Sequence, residues 1–402
     1  METNVRLIPV CRRSIYLALI LAGCALFALS QSDQRQVAFS LEQQGKVPEA
    51  EAVWRALSTA YPTNPEPYAH LGLLEARQEH YAEAIAFYRK AMALNPAMPR
   101  LRYNLGLAYF KAGEYKDTIL QLRPLLKTQP PSSDEAQQLT VLLGMSHFGL
   151  GEYAAAAPYL KKAAARDTQN LPLLLTLAHS CLLSKQYQCV LDEFHRIIAL
   201  SPDSAEAHML AGEALDEMKN SASATEEFRA AVQANPKQPT VHFGLGYMLW
   251  MQGQNEEATQ EFQAELDNTP EYVPAMLYMA DSYIKMNRQE DARPLLEKLV
   301  KIAPTSSMAH LDMAIIYNNT GQKEDQLREL KTVIALKPDD KSAHWRLSRL
   351  YQSMGKTAEA DAELAITKKI NKAGEDSLLK VFSQAPQQDK ARQATAPATS
   401  NQ

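Results

Sequence analysis

The chain carries none of the short signatures that mark the common enzyme classes. Its 402 residues contain no Walker-type nucleotide loop, no His-Glu-x-x-His, no Cys-x-x-Cys and no Gly-x-Ser-x-Gly. Phosphate cradling, helix-borne zinc hydrolysis, dithiol chemistry and a hydrolase nucleophile elbow therefore have no local support. Basic excess is missing too: 42 Lys and Arg against 46 Asp and Glu give a net charge of −4. With no basic stripe or tail, nucleic-acid binding lacks its electrostatic footprint. Cysteine is scarce, four in all, and Cys11 and Cys24 fall within the first 30 residues.

Residues 14–29 are almost wholly apolar and follow Arg6, Arg12 and Arg13. A positive segment before a short apolar run is the pattern of an export signal, and the run falls short of the ~20 residues a spanning helix prefers. Residues 1–30 are thus expected to be an export signal or a membrane anchor. Leu21-Ala22-Gly23-Cys24 resembles the bacterial lipobox and makes Cys24 a lipidation candidate. Ala28-Leu29-Ser30 offers a competing cleavage site, and a retained anchor is the third outcome. All three place the remainder outside the cytoplasm, periplasmic or membrane-tethered, an outer-membrane lipoprotein being one form. Losing this segment removes three arginines and one glutamate, so the rest is more acidic.

What the chain does have is a ruler. Pro62, Pro96 and Pro130, then Pro202, Pro236, Pro270, Pro304 and Pro338, step by 34 residues, with one interval of two periods plus four. Counting periods from Gln31, the eighth residue is always small: Ala38, Gly72, Gly106, Gly144, Ala178, Gly212, Gly246, Ala280, Ala314, Ser348. Twelve residues later alanine dominates (Ala50, Ala84, Ala156, Ala224, Ala258, Ala292, Ala360). Four further on stands a large apolar residue: Trp54, Tyr88, Leu122, Leu160, Phe194, Phe228, Phe262, Leu296, Leu330, Leu364. Within each half-period apolar residues recur at three and four, the spacing of a helix face. Gly45, Gly113, Gly151, Gly253, Gly321 and Gly355 break the two halves, and glycine readily takes the left-handed turn that ends a helix. Proline closes the second half. Each period is therefore a helical hairpin, and the whole is a linear array.

These columns resemble the tetratricopeptide repeat family, most closely in Tyr103-Asn104-Leu105-Gly106-Leu107-Ala108-Tyr109 through Gly113-Glu114-Tyr115. The resemblance covers about residues 31–374. It implies an all-α, right-handed superhelical solenoid of about ten tetratricopeptide-like hairpins, followed by a capping segment and disordered tail over 375–402. Two departures stand out. The usual early tryptophan is replaced by His208, His242, His310 and His344, read as packing residues rather than metal ligands, and the fifth unit has Val190 in the alanine column and no glycine turn. The four extra residues fall near 131–136, where they either lengthen the next helix by one turn or mark a bend between a three-repeat and a seven-repeat block. Ser132 and Glu135 have capping-box spacing. Cys181 and Cys189 flank the fifth hairpin's turn and are read either as a disulfide or as two buried thiols.

The family's role is binding. Resemblance implies that the second, fifth, ninth, twelfth and thirteenth residues of each period face a groove. Those columns supply Tyr103, Leu107, Phe110, Met145, Phe148, His179, Phe243, Tyr247, Trp250, Met251, Leu277 and Ile284. So apolar a set suits an interaction wall, the alternative being packing between neighbouring repeats. Glu206, Glu213, Asp216 and Glu217 interrupt it with an acidic patch suited to a basic partner side chain, or to solvent. The family's carboxylate clamp is not matched: Arg100 and Asn104 echo it, but Ala69 and Leu73 stand where its lysine and asparagine belong. The expectation is a non-catalytic scaffold or adaptor of the cell envelope that binds a protein or peptide, with no nucleic acid, no cofactor and no metal. A substrate-presenting subunit of an envelope enzyme and a self-assembling structural protein are the alternatives.

Overall fold

The computed structural model describes residues 31–372, so the segment 1–30 with Cys24, and the residues beyond 372 with the expected tail, lie outside the described residues. Contacts divide the chain into two compact units after Leu200. Every regular element among the described residues is a helix.

Unit 1 holds five hairpins. Their helices are α1 (Gln31–Gln43) and α2 (Val47–Ala60), α3 (Pro65–Arg77) and α4 (Tyr81–Leu94), and α5 (Leu101–Lys111) and α6 (Tyr115–Leu126). The unit continues with α7 (Asp134–Gly149) and α8 (Tyr153–Arg166), then α9 (Leu171–Leu183) and α10 (Tyr187–Leu200). Unit 2 holds α11 (Ala205–Glu217) and α12 (Ser221–Ala234), α13 (Val241–Met251) and α14 (Asn255–Asn268), and α15 (Val273–Lys285) and α16 (Gln289–Ile302). It ends with α17 (Ser307–Asn319) and α18 (Lys323–Leu336), then α19 (Lys341–Ser353) and α20 over residues 357–372. Each unit is a solenoid of helical hairpins in which a helix packs on its chain neighbours.

The small and large columns are two halves of one contact. A Cβ added to Gly72 would lie 2.7 Å from the Tyr88 ring, one on Gly106 2.3 Å from Leu122, one on Gly144 2.8 Å from Leu160, and one on Gly246 2.7 Å from Phe262. The absent side chain on the first helix is the space that the large residue of the second helix fills. Trp54, Tyr88, Leu122, Leu160, Phe228, Phe262, Leu296 and Leu330 are all buried, while Phe194 and Leu364 are half-buried. Close packing leaves no slack for an added methyl at such a place.

Turn chemistry is uniform where the sequence is not. The fifteenth residue of all ten periods has positive φ: the six glycines, and Glu79 (63°), Lys185 (60°), Lys219 (64°) and Asn287 (61°). In each hairpin the next amide returns to a carbonyl five residues earlier, as in Glu114 to Tyr109 at 2.9 Å and Gln186 to Cys181 at 2.7 Å. This is the Schellman closure of a helix C-terminus. The fifth hairpin thus turns without glycine because a lysine accepts the left-handed conformation. Second helices ending at Ala60, Leu94, Leu200, Ala234, Asn268, Ile302 and Leu336 each stop two residues before a ruler proline.

The four-residue insertion extends the helix that follows it: α7 has 16 residues where most first helices have 13. Its cap is Ser133, whose side chain accepts from the Ala136 amide, rather than the expected Ser132. The compact units divide after Leu200, not at the insertion, and α6 packs on α7 across it. The recurring histidines each bond a glutamate 19 residues on: His208–Glu227 at 2.7 Å, His242–Glu261 at 2.6 Å, His310–Glu329 at 2.7 Å and His344–Glu363 at 2.5 Å. His310 and His344 also reach the carbonyls of Pro304 and Pro338, at 3.0 Å each. They pin first helix to second helix and to the preceding loop.

Two substitutions test this construction. Gly246→Val drives a side chain into the Phe262 ring and is expected to cost roughly 1–3 kcal/mol, read from chemical unfolding. Lys219→Gly removes a left-handed L-residue, which costs roughly 1–2 kcal/mol, and is expected to raise the unfolding midpoint.

Candidate functional site

First helices of neighbouring hairpins touch one another within each unit: α3 with α5 and α5 with α7 in unit 1, and α11, α13, α15 and α17 in succession in unit 2. Within each unit the outer positions of these touching helices lie side by side.

In unit 1, Tyr103, Leu107 and Phe110 on α5, Met145 and Phe148 on α7, and His179 on α9 are all half-buried. Phe110 tilts on Tyr115 at 5.8 Å, and Phe148 meets Tyr153 edge-on at 5.5 Å. These rings fold back over their own hairpin turns, and the Tyr103 hydroxyl reaches Gln138 at 3.1 Å. Burial, with the charge of Glu135 second, raises the Tyr103 hydroxyl's pKa. A cavity of about 220 Å³ opens between α3, α4 and α5, with Leu73, Tyr88 and Leu107 as apolar walls and Arg77, Asn104 and Lys111 as its polar groups. Cys181 of α9 and Cys189 of α10 form a disulfide with Cα atoms 5.9 Å apart.

Unit 2 concentrates the aromatics. Tyr247 stacks with Trp250 at 5.7 Å, and both meet Tyr278 of α15 edge-on, at 5.2 and 4.7 Å. Phe243 meets Tyr272 at 5.3 Å. Phe243, Tyr247 and Trp250 are therefore both packed against the next hairpin and partly open to solvent. Met251 is 58% exposed. Leu277 requires a correction: it is buried among Met276, Leu296 and Met313 instead of facing outward. The neighbouring Tyr278 takes the outer place because its ring can lie on Trp250. Ile284 is half-buried against the same cluster. Glu206, Glu213, Asp216 and Glu217 share one face of α11, with Glu213 and Glu217 the more exposed pair.

Five further residues of unit 2 stand outside the set picked from the columns. Trp345 on α19 is 48% exposed in the same fifth column as Tyr103 and Phe243, a signal that was readable. Asp281 on α15 accepts from the Trp250 indole at 2.5 Å and pairs with Lys285 at 2.9 Å, while the Lys285 ammonium lies 3.8 Å over the Trp250 ring. Asp312 on α17 is 4% exposed, and its Oδ2 is buried without a hydrogen-bond partner. Burial first, then the charge of Asp281, pushes its carboxyl up to about 8, against the pull of Arg346 and Lys285. Burial in turn lowers the pKa of Arg346. Among the described residues no three His, Cys, Asp or Glu side chains gather in a metal-binding group, and no helix is long and apolar enough to cross a membrane.

Hairpins stacked on their chain neighbours define a class, that of helical repeat proteins. A family model described as TPR repeat matches residues 74–113, and models described as tetratricopeptide repeat match 249–314 and the segments 103–171, 191–239 and 214–273. Together these span more than half of the chain, which belongs to the tetratricopeptide repeat family. Among curated proteins, anaphase-promoting complex subunit 3 of Schizosaccharomyces pombe is 23% identical over 158 residues, covering 39% of this chain and 23% of its own length. Among solved structures, a tetratricopeptide repeat protein from Parabacteroides merdae is 17% identical with a TM-score of 0.46, covering 62% of this chain and 97% of that one. The C-terminal part of a TPR repeat-containing protein from Cytophaga hutchinsonii is 17% identical with a TM-score of 0.49, covering 60% and 97%.

Asp312 supplies a pH test. The folded carboxyl keeps its proton to about pH 8, whereas the unfolded chain releases it near 3.8. Stability tied to this group is full below the lower value and falls as pH rises toward the upper one, by up to about 1.4 kcal/mol per pH unit. Asp312→Asn is expected to be more stable than wild type near neutral pH and to show a flatter stability profile between about pH 5 and about pH 8. Chemical unfolding at both pH values measures the difference.

Proposed function

We propose that this chain is a non-catalytic adaptor of the cell envelope that holds a partner peptide along the first-helix face of unit 2. Proteins of this family mediate protein–protein interaction and bind peptides, and the finer reading rests on one observation. Met251 and Trp345 stand 58% and 48% exposed on a face otherwise floored by Phe243, Tyr247 and Trp250. Large apolar side chains left open beside half-buried aromatics are what a desolvated contact uses, with Trp, Tyr and Met favoured at such places. An apolar segment laid across successive helices would bury both sides.

The envelope assignment is supported by the charge and apolar pattern of residues 1–30, and by the Cys181–Cys189 disulfide, a bond that persists in oxidising compartments. In this reading the chain is tethered through a lipid on Cys24 or a retained anchor, with cleaved soluble export as the alternative.

The test is a pull-down from envelope extract with wild type beside two variants: Tyr247→Ala with Trp250→Ala, and Met251→Ser. The second touches an exposed side chain and leaves the packing intact. A partner kept by wild type, lost by the double variant and weakened by Met251→Ser, with helicity unchanged in both, is the expected result. The same proteins on all three, or a mass that rises with concentration and no partner, would replace the adaptor with another site or with self-assembly.

A further inference from the structure

We propose that unit 2 carries a subsite for a basic side chain of the bound peptide, formed by Asp281 and Asp312 beside the Trp250 ring. The proposal rests on the peptide-binding reading above and adds its charge chemistry. Three successive first helices contribute: Trp250 from α13, Asp281 and Lys285 from α15, and Asp312 from α17, while the charge of Arg346 on α19 acts on Asp312.

The first half of the subsite already holds a cation. The Lys285 ammonium lies 2.9 Å from Asp281 and 3.8 Å over the Trp250 ring. A carboxylate beside an aromatic face is the environment that holds a cationic side chain through charge and ring quadrupole together. Lys285 is 42% exposed and pairs with a residue one helical turn away, an arrangement that contributes little and yields to a better cation.

The second half lacks a partner. Asp312 is 4% exposed, its Oδ2 receives no hydrogen bond, and no ion pair joins it to Lys285 or Arg346, whose charges nonetheless act on it. Buried polar groups in native proteins are nearly always satisfied, so an orphaned carboxyl oxygen on a binding face points to a group that arrives with the ligand. A guanidinium fits best: its planar fork of five donors can pair with the Asp281 carboxylate and reach the Asp312 oxygen at once, its charge favouring release of the Asp312 proton to solvent, where an ammonium serves as a point charge. The flexible side chains of Lys285 and Arg346 are the groups that must yield to it. Asp281 also fixes the Trp250 indole, so a cation drawn to the acid pair is delivered against the aromatic wall. The partner is therefore an apolar peptide segment interrupted by one arginine.

Four acetylated, amidated peptides test this, all of the form Leu-Ala-Leu-X-Leu-Ala-Leu with a common Ser-Gly-Ser tail and X as arginine, lysine, citrulline or methionine. Citrulline keeps the shape of arginine and loses the charge. Affinities are read by calorimetry for wild type, Asp312→Asn, Asp281→Asn with Asp312→Asn, and Glu213→Gln with Glu217→Gln as a control for general attraction to an acidic protein. The expected result is arginine at least about tenfold tighter than citrulline, about 1.4 kcal/mol, with lysine between them. That ratio shrinks in Asp312→Asn, approaches one in the double aspartate variant, and stays put in the glutamate control, while the citrulline peptide binds wild type, Asp312→Asn and the glutamate control alike. Equal binding of arginine and citrulline, or a ratio untouched by the aspartate variants, overturns the subsite and leaves the groove standing. Failure of every peptide to bind overturns both.

Discussion

Everything in this molecule depends on one contact repeated along the chain: a small residue on the first helix of a hairpin against a large apolar residue sixteen positions later on the second. Gly72 against Tyr88, Gly106 against Leu122 and Gly246 against Phe262 are the same joint with different fillings. Because eight of the ten hairpins bury their large residue this way, each needs only its neighbours to complete a core, which is the energetics of a solenoid. A close joint on one side leaves part of the opposite side of the first helices open, as at Met251 and Trp345. Binding chemistry can be written there without disturbing the fold.

The joint, the turns and the helix stops were legible because each rests on local chemistry. Gly113, Gly151 and Gly253 announce left-handed turns, and the ruler prolines announce the ends of second helices. The same turn at Lys185 and Lys219 could not be read, since nothing in a lysine signals positive φ. There the hairpin's packing selects the conformation and the residue tolerates it. Ser133 taking the cap from Ser132 is a related miss, one residue of helix phase decided by how α7 meets its neighbours.

The candidate site was legible in outline and blurred in detail for a different reason. Columns describe which way a helix position points, but two neighbouring helices decide what it meets. Leu277 obeys its column and is still buried, because Tyr278 beside it finds the Trp250 ring and covers the outside. Asp312 stands outside the five columns read as facing the groove, so its sequence position was passed over. Its character comes from tertiary placement: burial, with the charges of Asp281 on one helix and Arg346 on another acting on it. Trp345, by contrast, stood in the same column as Phe243 and was open to the same reading.

The central claim is that the first-helix face of unit 2, and not the second-helix surface, receives the partner. Hydroxyl-radical footprinting of the wild-type chain, alone and with its captured partner, tests it at the side chains themselves. The account predicts protection at Trp250, Met251 and Trp345, with Tyr103 and Phe148 of unit 1 changing less. Protection confined to exposed second-helix residues such as Leu120 and Leu336, with Met251 and Trp345 unchanged, would contradict it.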